Sequence, residues 1–234
     1  GYELGSYDSS KTLVIDPELI FSTYSGSGSD NWGLSATPDN NGFLISGSIA
    51  FGSNYPVTSG AFDQTFNQGS FDACITKFDT TGAFLIYSTY LGGNSGDLPQ
   101  SLITDADNNT YIFGATGSNN FPMLANSYDK TFNGGNTVGF NGLSFNNGTD
   151  IYVVALNSSG TSLVAATYLG GSDNDGVNTS NQLSYNYADQ SRGEINLDEA
   201  GNVYIASTTR SSNFPVSAGA FRTSNAGQQD GVVT

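Results

Sequence analysis

Three short motifs recur along the chain in one order, and their spacing constrains the fold more than any other feature. The first is Phe21-Ser-Thr-Tyr-Ser-Gly-Ser, Tyr87-Ser-Thr-Tyr-Leu-Gly-Gly and Ala165-Ala-Thr-Tyr-Leu-Gly-Gly. The second is Asn54-Tyr-Pro, Asn120-Phe-Pro and Asn213-Phe-Pro, and the third begins at Asp72, Asp150 and Asp230. Tyr24 and Tyr90 stand 66 residues apart, as do Tyr55 and Phe121. The later spacings widen to 78 (Tyr90 to Tyr168) and 93 (Phe121 to Phe214). The unit is therefore 66 residues, with insertions near 137–148 and 176–190. We divide the chain into 1–24 (a junction and the closing strand pair of a preceding unit), 25–90, 91–168 and a truncated 169–234.

Each unit reads as four short strands. In the second, Ser101-Leu-Ile-Thr, Tyr111-Ile-Phe-Gly-Ala, Asp150-Ile-Tyr-Val-Val-Ala-Leu and Ser162-Leu-Val-Ala-Ala-Thr-Tyr-Leu are bounded by Asn, Asp and Gly turns. No stretch carries a helical apolar period. The expected fold is all-β, a β-propeller-like array of four-stranded antiparallel blades; a stacked sandwich array is the alternative. About three blades are counted, fewer than the 4–8 that close a ring, so an incomplete propeller is expected. The chain starts without Met and stops at Thr234 inside a third strand, which reads as a piece excised from a larger protein. Phe62, Tyr128 and Phe221 recur at one repeat position and are expected in blade cores or as loop anchors.

Composition narrows the chemistry. Against 21 Asp and Glu stand six Lys and Arg and no His, a formal net charge of −15. Six bases cannot neutralise a row of phosphates, which argues against nucleic acid. No apolar run approaches the ~20 residues of a membrane helix, so membrane insertion is not expected. Without His, and with Cys74 alone, a His-based triad and a Cys cluster are excluded. Cys74 reads as a small buried hydrophobe. Sequons stand at Asn108, Asn147, Asn157 and Asn178, as chance allows in an Asn-rich chain.

The motifs Leu13-Val-Ile-Asp-Pro17, Tyr87–Gly93, Asp198–Ile205, Asn213-Phe-Pro215 and Asp72–Lys77 resemble SBBP, the seven-bladed β-propeller repeat of bacteria. Thr110 stands where that pattern has Gly, and Ser25 where it has Leu. The resemblance implies a large exported or cell-surface protein of the kind linked to gliding motility and type IX secretion, with no catalytic residues to transfer. Asp79-Thr80-Thr81 resembles the O-glycan acceptor of such proteins, with Thr80 as the modified residue, while the preferred reading of Asp79–Gly82 is a plain hairpin turn.

Candidate sites fall in the loops. Asp173-Asn-Asp175-Gly offers two carboxylates for a Ca²⁺ ion but lacks the later acid of an EF-hand, and Asp30 and Asp97 lie in related loops. No cofactor is expected otherwise, and folding is expected to need no metal. Only four Glu occur, none in a glycosidase motif, so the chain is not expected to be an enzyme. Successive connections of antiparallel strands alternate between sheet ends, which puts the short turns at one end. The Asn-Phe-Pro loops, the Tyr-Leu-Gly-Gly loops and both insertions then share the other. That face is expected to bind a protein or glycan surface, or other domains of the same precursor, through Trp32, Asp97, Phe140, Phe145, Tyr185 and Tyr187. The function expected is an extracellular, non-enzymatic scaffold for adhesion or assembly. The alternative is a glycan-binding module of a secreted polysaccharide-acting enzyme.

Overall fold

The computed structural model describes Ser6, Asp8, Ser10, Lys11, 18–180 and 188–234. Two four-stranded antiparallel sheets and one three-stranded sheet follow one another along the chain. The first contains β1 (Asn31–Pro38), β2 (Leu44–Ala50), β3 (Asp72–Phe78) and β4 (Leu85–Leu91), paired in that order. The second contains β5 (Asp97–Thr104), β6 (Thr110–Thr116), β9 (Asp150–Leu156) and β10 (Leu163–Leu169), also in chain order. Between β6 and β9 the first insertion forms a separate hairpin, β7 (Val138–Phe140) and β8 (Leu143–Phe145). The third sheet is β11 (Glu194–Leu197), β12 (Val203–Thr209) and β13 (Asp230–Val233). The first strands β1, β5 and β11 are neighbours in space, as innermost strands of successive blades are. β1 and β13 belong to different sheets, so no ring closes.

The repeat extends to local irregularities. The β1–β2 ladder shifts register between Gly33 and Ser35, and β5–β6 between Pro99 and Ser101, at equivalent positions. Pro99 is tolerated there because a bulge on an edge strand asks for no ladder donor. The tight turns are built alike. Asp39 Oδ1 accepts from the Asn41 and Phe43 amides, Asp105 Oδ1 from Asp107 and Asn109, and Asp198 Oδ1 from Ala200 and Asn202. The left-handed residue is Gly42 (φ 80), Asn108 (φ 62) or Gly201 (φ 81). Asn108, not Thr110, thus takes the glycine's place, since Asn tolerates that region at little cost. Thr110 instead starts β6, where its hydroxyl meets Tyr87 Oη at 3.0 Å.

The largest core lies between the first two sheets, with Ile45, Ile75, Tyr87, Ile112, Tyr152 and Tyr168 all buried. Cys74 is fully buried on β3. Phe62 packs on this core, and its amide donates to Gly160 in the β9–β10 turn of the next blade. Tyr128 and Phe221, expected to be buried or anchored like it, are exposed. The residue at this position anchors to the outer hairpin of the following blade, and only Phe62 has one beside it among the described residues. The closing strand pair expected in 1–24 is not formed in its described part: 18–24 carries no strand, and Leu13–Pro17 lies outside the described residues.

Candidate functional site

Strand connectivity places the β1–β2, β3–β4, β5–β6, β9–β10 and β11–β12 turns at one end of the sheets. Asn40 Nδ2 donates to the Asp105 carbonyl at 2.7 Å, which joins two of those turns directly. All long connections leave from the opposite end. Both insertions are there and touch, with Asn141 Nδ2 donating to Gln190 Oε1 at 3.2 Å.

At this end the structure brings Trp32, Phe140 and Phe145 together. Trp32 meets Phe51 edge-on at 5.2 Å, Phe51 meets Phe71 at 5.8 Å, and Phe71 meets Phe145 at 5.3 Å and 89°. Phe140 closes the row at 6.0 Å from Phe145. These rings form a cluster over Ile49 and Leu98 rather than a stacking platform, and Phe145 is wholly buried. The space left between Trp32, Leu98, Phe140 and Ala188 is only about 10 Å³, too little for a ligand. Tyr185 and Tyr187 lie outside the described residues. The first insertion is therefore part of the core. Its signal was in the sequence: Asn141-Gly142 between the alternating pairs Val138, Phe140 and Leu143, Phe145 is a type I′ hairpin, with φ of 50° and 85°.

The acids have been put to structural use. Asp97, fully buried, accepts from the Gly93 amide (2.8 Å), the Ser118 hydroxyl (3.0 Å) and the Thr116 hydroxyl. Asp175 repeats this with the Gly171 amide (2.7 Å), Ser211 (2.9 Å) and Thr209. The sequence signal is Gly-Gly followed by Asp four residues on, then Thr-x-Ser at the end of the next strand. A second pair, Asp72 and Asp150, heads β3 and β9; Asp72 Oδ2 accepts from the Asn67 amide, and Asp150 from Asn133 and Gly134. Burial, aided by Asp97 and Asp63, pushes the Asp72 carboxyl up to about 8. Burial alone outweighs the donors on Asp97 and lifts it to about 7. Asp150 is raised to about 7 by burial and the nearby Asp175, itself raised by burial.

For calcium the donor set does not fit. Both oxygens of Asp175 are taken by hydroxyls and an amide inside the blade. Asp173 Oδ1 accepts from the Asn174 amide, and its Oδ2 faces Arg210 at 3.8 Å. Asp30 is exposed and stands one residue before Asn31, the repeat equivalent of Asp97. Among the described residues no group of three His, Cys, Asp or Glu is arranged to hold a metal.

Sequence reasoning missed a shallow recess at this end, about 560 Å³ in volume and lined by Asn119, Phe132, Asn133, Asn136, Asn146, Asn147 and Ser172. It offers neutral amides and one aromatic ring. At the other end, Thr80 is exposed in a hairpin turn in which Asp79 accepts from Thr81 Oγ1 at 2.6 Å and from the Phe84 amide.

Residues 86–122 match the SBBP family of β-propeller repeats. The chain carries a β-propeller repeat. The matched stretch covers most of β4, all of β5 and β6, and the loop as far as Pro122. No curated protein matches the chain. Among the described residues no helix is long and apolar enough to cross a membrane.

Proposed function

We propose that this propeller module is a non-enzymatic scaffold of an exported or cell-surface protein, used in adhesion or assembly, and that its long-loop end attaches to a glycan. The observation that carries the glycan reading is the asparagine-lined cavity. Neutral amides match the donor and acceptor pattern of sugar hydroxyls. Asp72, Asp97, Asp150 and Asp175 are all fully buried, so none presents a carboxyl to a substrate. In this reading the SBBP-like context, gliding motility and type IX secretion included, supplies the location. Thr80, on the short-turn end, is free to carry a glycan of its own without blocking attachment.

The test is binding to immobilised neutral polysaccharides by the chain and by Asn136→Ala/Asn147→Ala. Losing hydrogen bonds from two side chains should weaken binding by about 10-fold or more, with an unchanged melting temperature. Absence of binding across the panel, or equal binding by the variant, rejects the glycan reading. Release of reducing sugar would reject the non-enzymatic one.

A further inference from the structure

Four asparagines in this chain are followed by glycine: Asn41, Asn133, Asn141 and Asn147. Such a pair can modify itself. The main-chain nitrogen of the glycine attacks the side-chain carbonyl carbon of the asparagine, and glycine permits this because no Cβ obstructs the approach. In sequence the four pairs are equivalent; in the fold they are not.

At three of them the glycine nitrogen is occupied. The Gly42 amide donates to the Asp39 carbonyl at 3.0 Å inside the β1–β2 turn. The Gly134 amide donates to Asp150 Oδ1 at 3.1 Å, and the Gly148 amide to the Phe145 carbonyl at 3.3 Å. Gly134 and Gly148 are also buried and hemmed in. A Cβ on Gly134 would lie 2.3 Å from the Asn147 carbonyl oxygen, and one on Gly148 would lie 2.2 Å from the Gly135 nitrogen. Neither peptide has room to swing toward the side chain before it. Gly142 differs on each count. It is exposed, its amide has no partner among the described residues, and nothing lies within 4 Å of the place of a Cβ. Asn141 is exposed as well, and the two residues form the tip of the β7–β8 hairpin. The flanking pair Phe140 and Leu143 takes the ladder position, which leaves the Gly142 N–H to water.

We propose that Asn141 is a self-modification site, the one Asn-Gly pair of this chain that converts to aspartate and isoaspartate while the protein is folded. Base takes the proton from the Gly142 amide, the nitrogen attacks Cγ of Asn141, and the Cγ–Nδ2 bond breaks; ammonia leaves with a proton from water. Water then opens the resulting cyclic imide at either carbonyl. Opening at the side-chain carbonyl gives aspartate. Opening at the main-chain carbonyl gives isoaspartate, in which the main chain runs through the side-chain methylene. Both products add a carboxylate to a chain of net charge −15. The place gives the change a consequence. Asn141 Nδ2 ties the first insertion to the second by donating to Gln190 Oε1 at 3.2 Å, and either product loses that donor. Isoaspartate also lengthens a two-residue loop whose conformation matches the strands, so Phe140 and Leu143 lose register. These side chains stand with Leu98 and Ala188 around Trp32. Aspartate leaves Trp32 covered, and isoaspartate lets water reach it.

The test is peptide mapping of the 1–234 chain aged in mildly alkaline buffer, both folded and in concentrated urea. Cleavage after Phe132, Phe140 and Phe145 places Asn133, Asn141 and Asn147 on separate peptides. In the folded chain Asn141 should convert at least about 10-fold faster than the other three, the rate effect of roughly one hydrogen bond that must first be broken. Its rate should rise with pH, because the attacking nitrogen must lose its proton. In urea the four rates should converge. Isoaspartate methyltransferase should label the aged protein at Asn141, and the emission of Trp32, the sole Trp, should shift to the red in step with that label. Asn141→Asp, which carries the charge without the added methylene, should keep the emission of fresh wild type. Failure of Asn141 to convert, conversion of Asn41, Asn133 or Asn147 ahead of it in the folded chain, or the same order of rates in urea overturns the proposal. An emission that stays fixed as isoaspartate builds up, or a shift that Asn141→Asp reproduces, overturns the effect on the Trp32 cluster.

Discussion

Asp72 illustrates how this chain uses its acids. Its carboxyl is wholly buried; Oδ2 holds the Asn67 amide, and Oδ1 has no hydrogen-bond partner among the described residues. With a folded value near 8 against an ordinary value of 3.8, the native state retains a proton that the unfolded chain releases. Such a group stabilises fully below the ordinary carboxylate range, and its contribution is lost as pH rises through about 8. Asp97 and Asp150, raised to about 7, act in the same sense. Asp39 opposes them weakly: burial pushes its carboxyl up, but Lys77 at 2.7 Å and the Phe43 and Asn41 amides hold it below the usual value, so its share is lost only in acid. The melting temperature is therefore expected to fall from about pH 5 to about pH 9. Asp72→Asn keeps the acceptor for Asn67 and places an amide where Oδ1 was alone. It should flatten that slope and melt higher than wild type at alkaline pH, by on the order of 5 °C. A thermal scan in which the variant melts lower than wild type at high pH would show that the ionised carboxylate, not the neutral acid, belongs to the fold.

Among the elements, the sheets were readable and the insertion was not. Period-two runs bounded by Asp and Asn turns gave the strands because each is half of a repeated blade, and agreement between copies cancels local ambiguity. An insertion has no second copy to compare. Asn141-Gly142 announces the β7–β8 hairpin, and Leu143 and Phe145 alternate toward the core. What the sequence alone does not disclose is the gap it fills, over Phe71 and Leu98, since that space is made by two different blades. The same holds for Asp97 and Asp175: their hydroxyl donors come from residues about twenty or more positions away, on the next strand. Phe145→Ala should accordingly destabilise the chain by about 3–5 kcal/mol, far beyond a loop substitution. Denaturant titration with an unchanged slope would check this, and a loss below about 1 kcal/mol would mean that the hairpin lies loosely on the blades.

At the scale of the whole molecule, stability is set by what each blade has on either side. The first two sheets share the large core, and every residue of β3 is buried. Among the described residues the third sheet packs mainly on the second, through β11 against β5 and β6, and β13 shows alternate residues to solvent along its short length. In a linear array of such units each owes its stability to its own burial and to its neighbours, so the blades should not open together. Counting repeats divides this stretch into blades, but does not disclose this gradient, which depends on which faces are covered. Hydrogen exchange on this chain should find β12 and β13 opening first. Their amides should be at least about 100-fold less protected than those of β3 and β9. Equal protection in all three sheets would mean that the array unfolds as one unit, and that the interface between the second and third blades, anchored by Asp175 on Thr209 and Ser211, is as strong as the one that Tyr87 and Phe62 make between the first two.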